Sequence, residues 1–335
     1  MLLYVARRLA ALVFVMLGMS LLMFVVAHAL PGDPARVAAG GVEATAEMVR
    51  IAREQLGLDR PLAVQYVLYL GRTVQGDLGR SVVTRRRIVD DLIEFFPATL
   101  ELTAAAVAFA GLLGVPLGIL SAVRRGRLSD HMSRLVFLFG ISMPVFWLGL
   151  VAILVFYAVL GLLPAGGRID YLLTPPPHVT GFYTADSLLA GDAGRLASAL
   201  RHLVLPALVL SSVSLAFIAR MTRSCLLEVL GEDYVRTARA KGLREGLVVY
   251  KHALRNAAVP ILITVGLQLG TLMGGAVLTE TIFTWPGIGT YAVNAVENQD
   301  YPALMGFAVT FSFLYALLNV VVDVLAYWLN PRISV

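Results

Sequence analysis

Six long apolar runs, near residues 9–30, 99–123, 135–160, 202–220, 257–279 and 303–329, constrain this 335-residue chain more than any other feature. Crossing ~30 Å of hydrocarbon as a helix takes about 20 apolar residues, and each run supplies that length. The chain is 58% hydrophobic and 15% charged, outside the usual range of soluble domains. The runs are continuous in Leu, Val and Ala, whereas barrel strands alternate over short segments, so helices are the spanning element. The expected fold is all-α: a polytopic membrane protein with six transmembrane helices.

Arg7-Arg8 before the first run and Ala27-His28-Ala29 after it resemble a cleavable leader. The uncharged stretch Leu9–Val26 is too long for a leader's apolar core, so this run is read as a retained span. Orientation follows from the cations, which stay on the cytoplasmic side. Arg7 and Arg8, then Arg124, Arg125, Arg127 and Arg134, then Arg220, Arg223 and the cations of 236–255, then Arg332, all fall on one side. The 31–97 loop carries nine residues of each sign, the loop between spans 3 and 4 is balanced, and that between spans 5 and 6 has no Lys or Arg. N- and C-termini are therefore expected in the cytoplasm of a multi-pass cell-membrane protein. This topology explains the basic excess without a nucleic-acid partner.

Catalytic chemistry has no foothold. There is no phosphate-binding Gly-x4-Gly-Lys-Ser/Thr, no His-Glu-x-x-His and no Gly-x-Ser-x-Gly, and the five histidines are too scattered for a metal site. The single cysteine, Cys225, excludes an internal disulfide. No cofactor is expected on this chain.

Three segments are expected: a tail and first span over 1–30, a helical extracytoplasmic cap over 31–97, and a transmembrane helical bundle over 98–335. In the cap, Leu30-Pro-Gly-Asp-Pro34 turns the chain, Thr45 caps one helix that Gly57 stops, and Asp59 with Pro61 opens a second. Ile88–Phe96 then leads through Pro97 into span 2. Thr174-Pro-Pro-Pro177 reads as an exposed linker. Gly114 with Gly118, and Gly266, Gly270 and Gly274, form small-residue ridges for close helix packing. Pro116, Pro144, Pro206 and Pro260 are expected to interrupt or end helical ladders, which is tolerated when neighbouring helices satisfy the freed carbonyls.

Polar residues inside the spans fall on shared faces. Ser312, Tyr315, Asn319 and Asp323 are spaced by three, four and four residues; span 4 adds Ser211 and Ser214, and span 5 adds Gln268 and Thr271. Burying such groups in lipid is costly, so they either line a watery solute path or bond between helices. Trp285-Pro286-Gly287-Ile-Gly289, with Asp300 beyond it, reads as a rigid turn bearing an exposed aromatic, an outer gate or docking element, or else as a packed re-entrant turn.

The segment Asp233–Pro260 sets six cations against two acids between apolar runs. It reads as a helix ending at Gly242, then a second helix from about Glu245 to Asn256, with Pro260 starting span 5 and Val235, Ala238, Leu247, Val248 and Leu254 as apolar contacts. Anionic lipid would account for the cations. The small residues Ala238, Ala240 and Gly242 instead suit a helix set into a protein groove.

Tyr234-Val-Arg-Thr-Ala-Arg-Ala-Lys-Gly242 with His252-Ala-Leu-Arg-Asn256 resembles the cytoplasmic coupling loop of ABC importer permeases, in the version found in the dipeptide/oligopeptide family. Against the general motif only Ala238, Gly242 and Leu254 match; Arg236, His252 and Arg255 follow the peptide-transporter version. Further landmarks of that family occur in order: Tyr4-x-x-Arg7-Arg8, Leu30–Pro34, Gly57-Leu-Asp-Arg-Pro61, Gly76-Asp-Leu-Gly79, Pro97–Leu102, Glu280-Thr-Ile-Phe-x-Trp-Pro-Gly-Ile-Gly289 and Asp300-Tyr-Pro302. The resemblance implies a homologous second permease as heterodimer partner, two cytoplasmic ATPase subunits that hold ATP and Mg, an extracytoplasmic substrate-binding protein, and peptide as solute. It also implies that within the loop 221–256 Tyr234, Arg236, Ala238, Arg239, Ala240, Lys241, Gly242, His252, Leu254, Arg255 and Asn256 meet an ATPase. An ion-coupled carrier or channel remains the alternative; it would run without nucleotide and would usually need more midplane acids than Glu101 and Asp323 provide.

Overall fold

The computed structural model describes residues 2–29, 35–36, 39–40 and 43–329. Leu30–Pro34 and Arg332 lie outside the described residues, as does the side chain of Asp323. Among the described residues the regular structure is helical, with one isolated bridge between Arg80 and Arg87.

The apolar runs become α1 (Leu2–Ala29), α4 (Ile88–Val123), α5 (Leu128–Ser142) with α6 (Val145–Val159), α8 (Ala193–Leu230), α10 (Glu245–Ile282) and α12 (Tyr301–Leu329). Between them lie α2 (Ala46–Leu56), α3 (Leu62–Val74), α7 (Tyr183–Leu189), α9 (Asp233–Ala240) and α11 (Ile288–Glu297). By length and composition α4, α8, α10 and α12 can cross a membrane; α5 and α6 make a fifth crossing if counted as one broken span, and α1 is apolar over Ala10–Val26.

Two expected boundaries move, those at Pro97 and Pro260. Of Pro116, Pro144, Pro206 and Pro260, only Pro144 separates two helices, and α5 and α6 meet there at 106°. Pro97 and Pro116 lie within α4, Pro206 within α8 and Pro260 within α10. A proline removes one N–H and leaves one carbonyl free, which a long, packed helix tolerates. The segment from Glu245 is thus the foot of α10, widened into a π turn over Val248–Ala253, and no separate second helix precedes span 5. Arg220 and Arg223, expected in a loop, belong to α8.

The described residues cluster into two compact units. The first comprises Met1–Pro97 and Gly287–Val320. In it the Thr45 hydroxyl accepts from Met48 N, and Gly57 (φ +68°) ends α2, both as the local signals predict. Pro61 sits at the N-cap of α3 rather than inside it. Helix α3 lies along α1: Tyr66 Oη meets Ser20 Oγ at 2.9 Å, Phe24 packs against Tyr66 and Tyr69, and His28 Nε2 lies 3.1 Å from Gln65 Oε1. A separate core joins Ile88 and Leu92 of α4 to Ile288, Tyr291 and Ala295 of α11 and Ala303 of α12. A Cβ on Gly306 would come within 2.6 Å of Ile88 Cγ2, so α12 can approach α4 only through a glycine.

The second unit comprises Ala98–Pro286 and Val321–Val335, and α8 is its central helix. Gly114 and Gly118 of α4 face it so closely that Cβ atoms would sit 2.9 Å from Leu215 O and 2.5 Å from Ala219 O. Gly140 of α5 approaches Ser212 O in the same way. Gly266 packs toward Val322, whereas beside Gly274 a Cβ would meet no described atom within 4 Å. Close backbone approach thus accounts for Gly114, Gly118 and Gly140, since packing holds helices together in lipid.

Candidate functional site

Helix α9 is anchored by its inner face. Val235 and Ala238, one turn apart, pack on Val248 at the foot of α10 and on Val229 and Leu230 at the end of α8. Val235 and Val248 are fully buried. The outer face carries Tyr234, Arg236, Arg239 and Ala240, all exposed. Leu247, expected among the apolar contacts, is exposed instead, while Leu254 is half-buried.

The turn after α9 depends on Gly242. Its φ of +76° is a conformation that glycine adopts freely and side-chain residues rarely do. Gly242 and Lys241 are exposed at the tip, and around Gly242 a Cβ would meet no described atom within 4 Å. Arg239 closes the turn by donating to Glu245 at 2.7 Å. That bond pulls the Glu245 carboxyl below its ordinary range and raises Arg239. Across the base, Asn256 Nδ2 donates to Tyr234 Oη at 2.7 Å. His252 is half-buried, and Arg255 joins Asn256 on the exposed side. The result is a short rod fixed to two long helices by small apolar contacts, with a smooth, cationic, solvent-facing tip.

At the other end of α10 the structure favours the packed turn over the exposed aromatic. Trp285 is not an exposed docking aromatic; it is 1% exposed, packed among Ala98, Leu102, Leu203, Ala207, Leu272 and Ala276. Its indole N–H donates to Ala98 O at 2.8 Å, which satisfies the ring's one polar atom inside the core. Replacing Trp285 with phenylalanine should cost about 1 kcal/mol for that bond, with a further loss for the smaller ring, read as a lowered thermal midpoint in detergent. Pro286 is exposed, whereas Gly287 and Gly289 are buried. Asp300 is buried as well and is structural: its carboxylate accepts from Ser81 Oγ, Val82 N and Val83 N, and from Ala303 N at the start of α12.

The segment between α6 and α8 is more than a linker. Gly167 N donates to Phe283 O at 2.8 Å, an approach that leaves no room for a side chain at Gly166. Arg168 donates to Glu101 Oε2 at 2.6 Å and to Gly181 O at 2.7 Å, and its guanidinium lies 3.7 Å from the Tyr183 ring centroid. Thr184 gives Glu101 two further bonds. Nearby in the chain, Asp186 gathers the 179–181 turn; burial pushes its carboxyl up, but the bonds from Thr180, Gly181 and Val179 bring it below the ordinary range. A carboxylate depressed by folding stabilises above its unfolded pKa and loses that contribution as pH falls through the folded value. Acidification should therefore loosen residues 178–186 selectively, seen as faster amide exchange there than in α8.

The polar span residues are only partly brought together. Ser214 Oγ donates to Gln268 Oε1 at 2.7 Å, joining α8 to α10. Ser211 is buried and bonds back to Leu208 O in its own helix, and Thr271 is exposed. On α12, Ser312 and Asn319 are half-buried and Tyr315 is exposed, and Asn319 donates to Tyr315 O one turn away. Sequence reasoning missed Asp130 altogether and named Glu101 and Glu280 without their partners; each is buried and satisfied by a residue far along the chain or on another helix.

Residues 114–335 match the family described as binding-protein-dependent transport system inner membrane component, and residues 1–103 match its N-terminal companion. The chain belongs to that family. It is thus the inner-membrane permease component of an ABC transport system, a subunit without catalytic activity of its own. Two relatives place it further. It is 51% identical over 328 residues to the probable D,D-dipeptide transport system permease protein of Escherichia coli, covering 98% of this chain and 96% of that one. It is 49% identical over 333 residues to the di/tripeptide transport system permease protein of Pseudomonas aeruginosa, covering 99% of both. Among solved structures, the inward-facing MetNI methionine ABC transporter shares the fold, with a TM-score of 0.51 at 19% identity over 70% of this chain and 93% of that one.

Proposed function

We propose that this permease component forms half of a heterodimeric pathway that imports di- or oligopeptides, with six spans and both termini in the cytoplasm. Two ATPase subunits, which bind ATP and Mg, seat α9 and the Gly242 turn in a groove. An extracytoplasmic binding protein delivers the peptide, and membrane lipid surrounds the spans. The observation that carries this reading is the α9 tip: small, exposed, left-handed at Gly242, and packed directly onto α8 and α10. Closure of the ATPases would press that tip and tilt both long helices, a rigid-body mode of alternating access.

The peptide assignment is supported by the printed functions of the two relatives. Of the residues expected along the solute path, Ser214 with Gln268 gives the best support, a polar pair between adjacent long helices. The ion-coupled alternative loses ground because Glu101 is neutralised by Arg168. Vesicles holding this chain, a second permease and the ATPases should take up labelled dipeptide with ATP and binding protein present. Uptake by vesicles lacking the ATPases would overturn the reading, as would a cysteine at Lys241 that reacts only with reagents added outside the cell.

A further inference from the structure

Beneath the bilayer end of the second unit, one carboxylate joins three helices and a turn. Asp130, 1% exposed at the start of α5, accepts from Ser121 Oγ of α4 at 2.6 Å and from Gly126 N of the intervening turn at 3.0 Å. From α8, Arg223 donates to both of its oxygens, Nε at 3.0 Å and Nη2 at 3.1 Å, and Nε also reaches Ser121 Oγ. All around it the cations Arg124, Arg125 and Arg127 are exposed. A two-point guanidinium–carboxylate bond fixes orientation as well as distance, so α5 cannot turn against α8 without breaking it.

Its position along α8 gives this clamp a role. One turn beyond Arg223, Leu226 is fully buried against Ile119 and Ala122 of α4 and Val249, Ala253 and Ala257 of α10. One further turn on, Val229 and Leu230 hold α9. Apolar contacts therefore link the α9 tip to α4, α8 and α10. Near this end, the polar clamp is what adds α5, whose apolar contact with α8 lies higher, at Phe137, Ala216 and Ala219.

We infer that Asp130 and Arg223 are positioning residues for energy coupling: they lock the start of α5 to α8, so that displacement of α9 moves α4, α5, α8 and the foot of α10 as one body. This rests on the reading of α9 as the ATPase-coupling element. The clamp differs from that element, since neither residue lies in α9 or at its tip.

The test uses the complete reconstituted transporter. In a Cys225→Ser background, spin labels at Leu128 and Glu228, both exposed, report the α5–α8 separation in nucleotide-free and ATP-trapped states. The expected result is one distance in both states. Arg223→Met should broaden that distance and lower peptide uptake per ATP hydrolysed about fivefold while hydrolysis continues, with Arg223→Lys intermediate. A distance that shifts between states in the otherwise native protein overturns the inference, and so does an Arg223→Met transporter with undiminished uptake per ATP. Should Arg223→Met not assemble, the native distance and Asp130→Asn decide by the same criteria. Gly242→Val, measured in parallel, separates the two ideas: normal coupling in that variant sinks the α9 reading, whereas uncoupling there and not in Arg223→Met sinks the clamp alone.

Discussion

Replacing Gly242 with valine is expected to reduce peptide uptake about tenfold or more while leaving the protein in the membrane at its normal level. Two causes act together. The φ of +76° is costly for any residue with a Cβ and most costly for a β-branched one, so the turn between α9 and α10 must shift. Any new side chain also projects from the tip, where no described atom lies within 4 Å to oppose it and where the ATPase groove is proposed to sit. Asparagine separates these causes, because it tolerates left-handed backbone but is bulkier than glycine. Uptake restored by Gly242→Asn would assign the defect to backbone strain; uptake still lost would assign it to the seat. Full transport by Gly242→Val would contradict the coupling role outright.

The second large effect concerns the Arg168–Glu101 pair. Both side chains are nearly inaccessible, at 7% and 4%. Arg168→Met removes the cation but leaves Glu101 buried with only Thr184 to hold it, and breaking a buried pair in this way costs about 3–5 kcal/mol. The double variant Arg168→Met with Glu101→Gln leaves no charge behind and keeps an acceptor for Thr184, so it should recover much of that loss. Thermal unfolding in detergent over the full cycle of single and double variants measures the difference. Equal losses in single and double variants would mean that the pair contributes through shape alone.

What was legible beforehand was local. Thr45, Gly57 and Gly242 act on backbone within a few residues of themselves, and their caps and stops fell where the residues indicated. The apolar runs likewise became helices because bilayer-length hydrophobic segments have few other options. Pro97 and Pro260 read as the starts of spans, yet both ride inside longer packed helices, because a ring that ends an exposed helix can be tolerated within a packed one. Trp285 stayed open between exposure and packing because turn chemistry at Pro286-Gly287 says nothing about which wall the indole meets, and that wall is Ala98, 187 residues earlier. The Arg168–Glu101 and Asp300–Ser81 bonds span 67 and 219 residues. Composition showed only that the loop charges balanced, without showing which of them met.

The Asp300 carboxylate has a bearing on how the polypeptide is made. It holds the turn at 81–83 while starting α12, and Ile88 packs against Gly306, so the first unit is stitched from the two ends of the chain. A ribosome delivers the 81–97 region long before residue 300 exists. During that interval the 81–83 turn lacks the carboxylate that holds it, whereas the helices from Ala98 to Pro286 can assemble as they emerge. A nascent chain halted before Asp300 would leave Ser81, Val82 and Val83 without their shared acceptor, so that stretch should be cut by added protease more readily in the truncated chain than in the finished one.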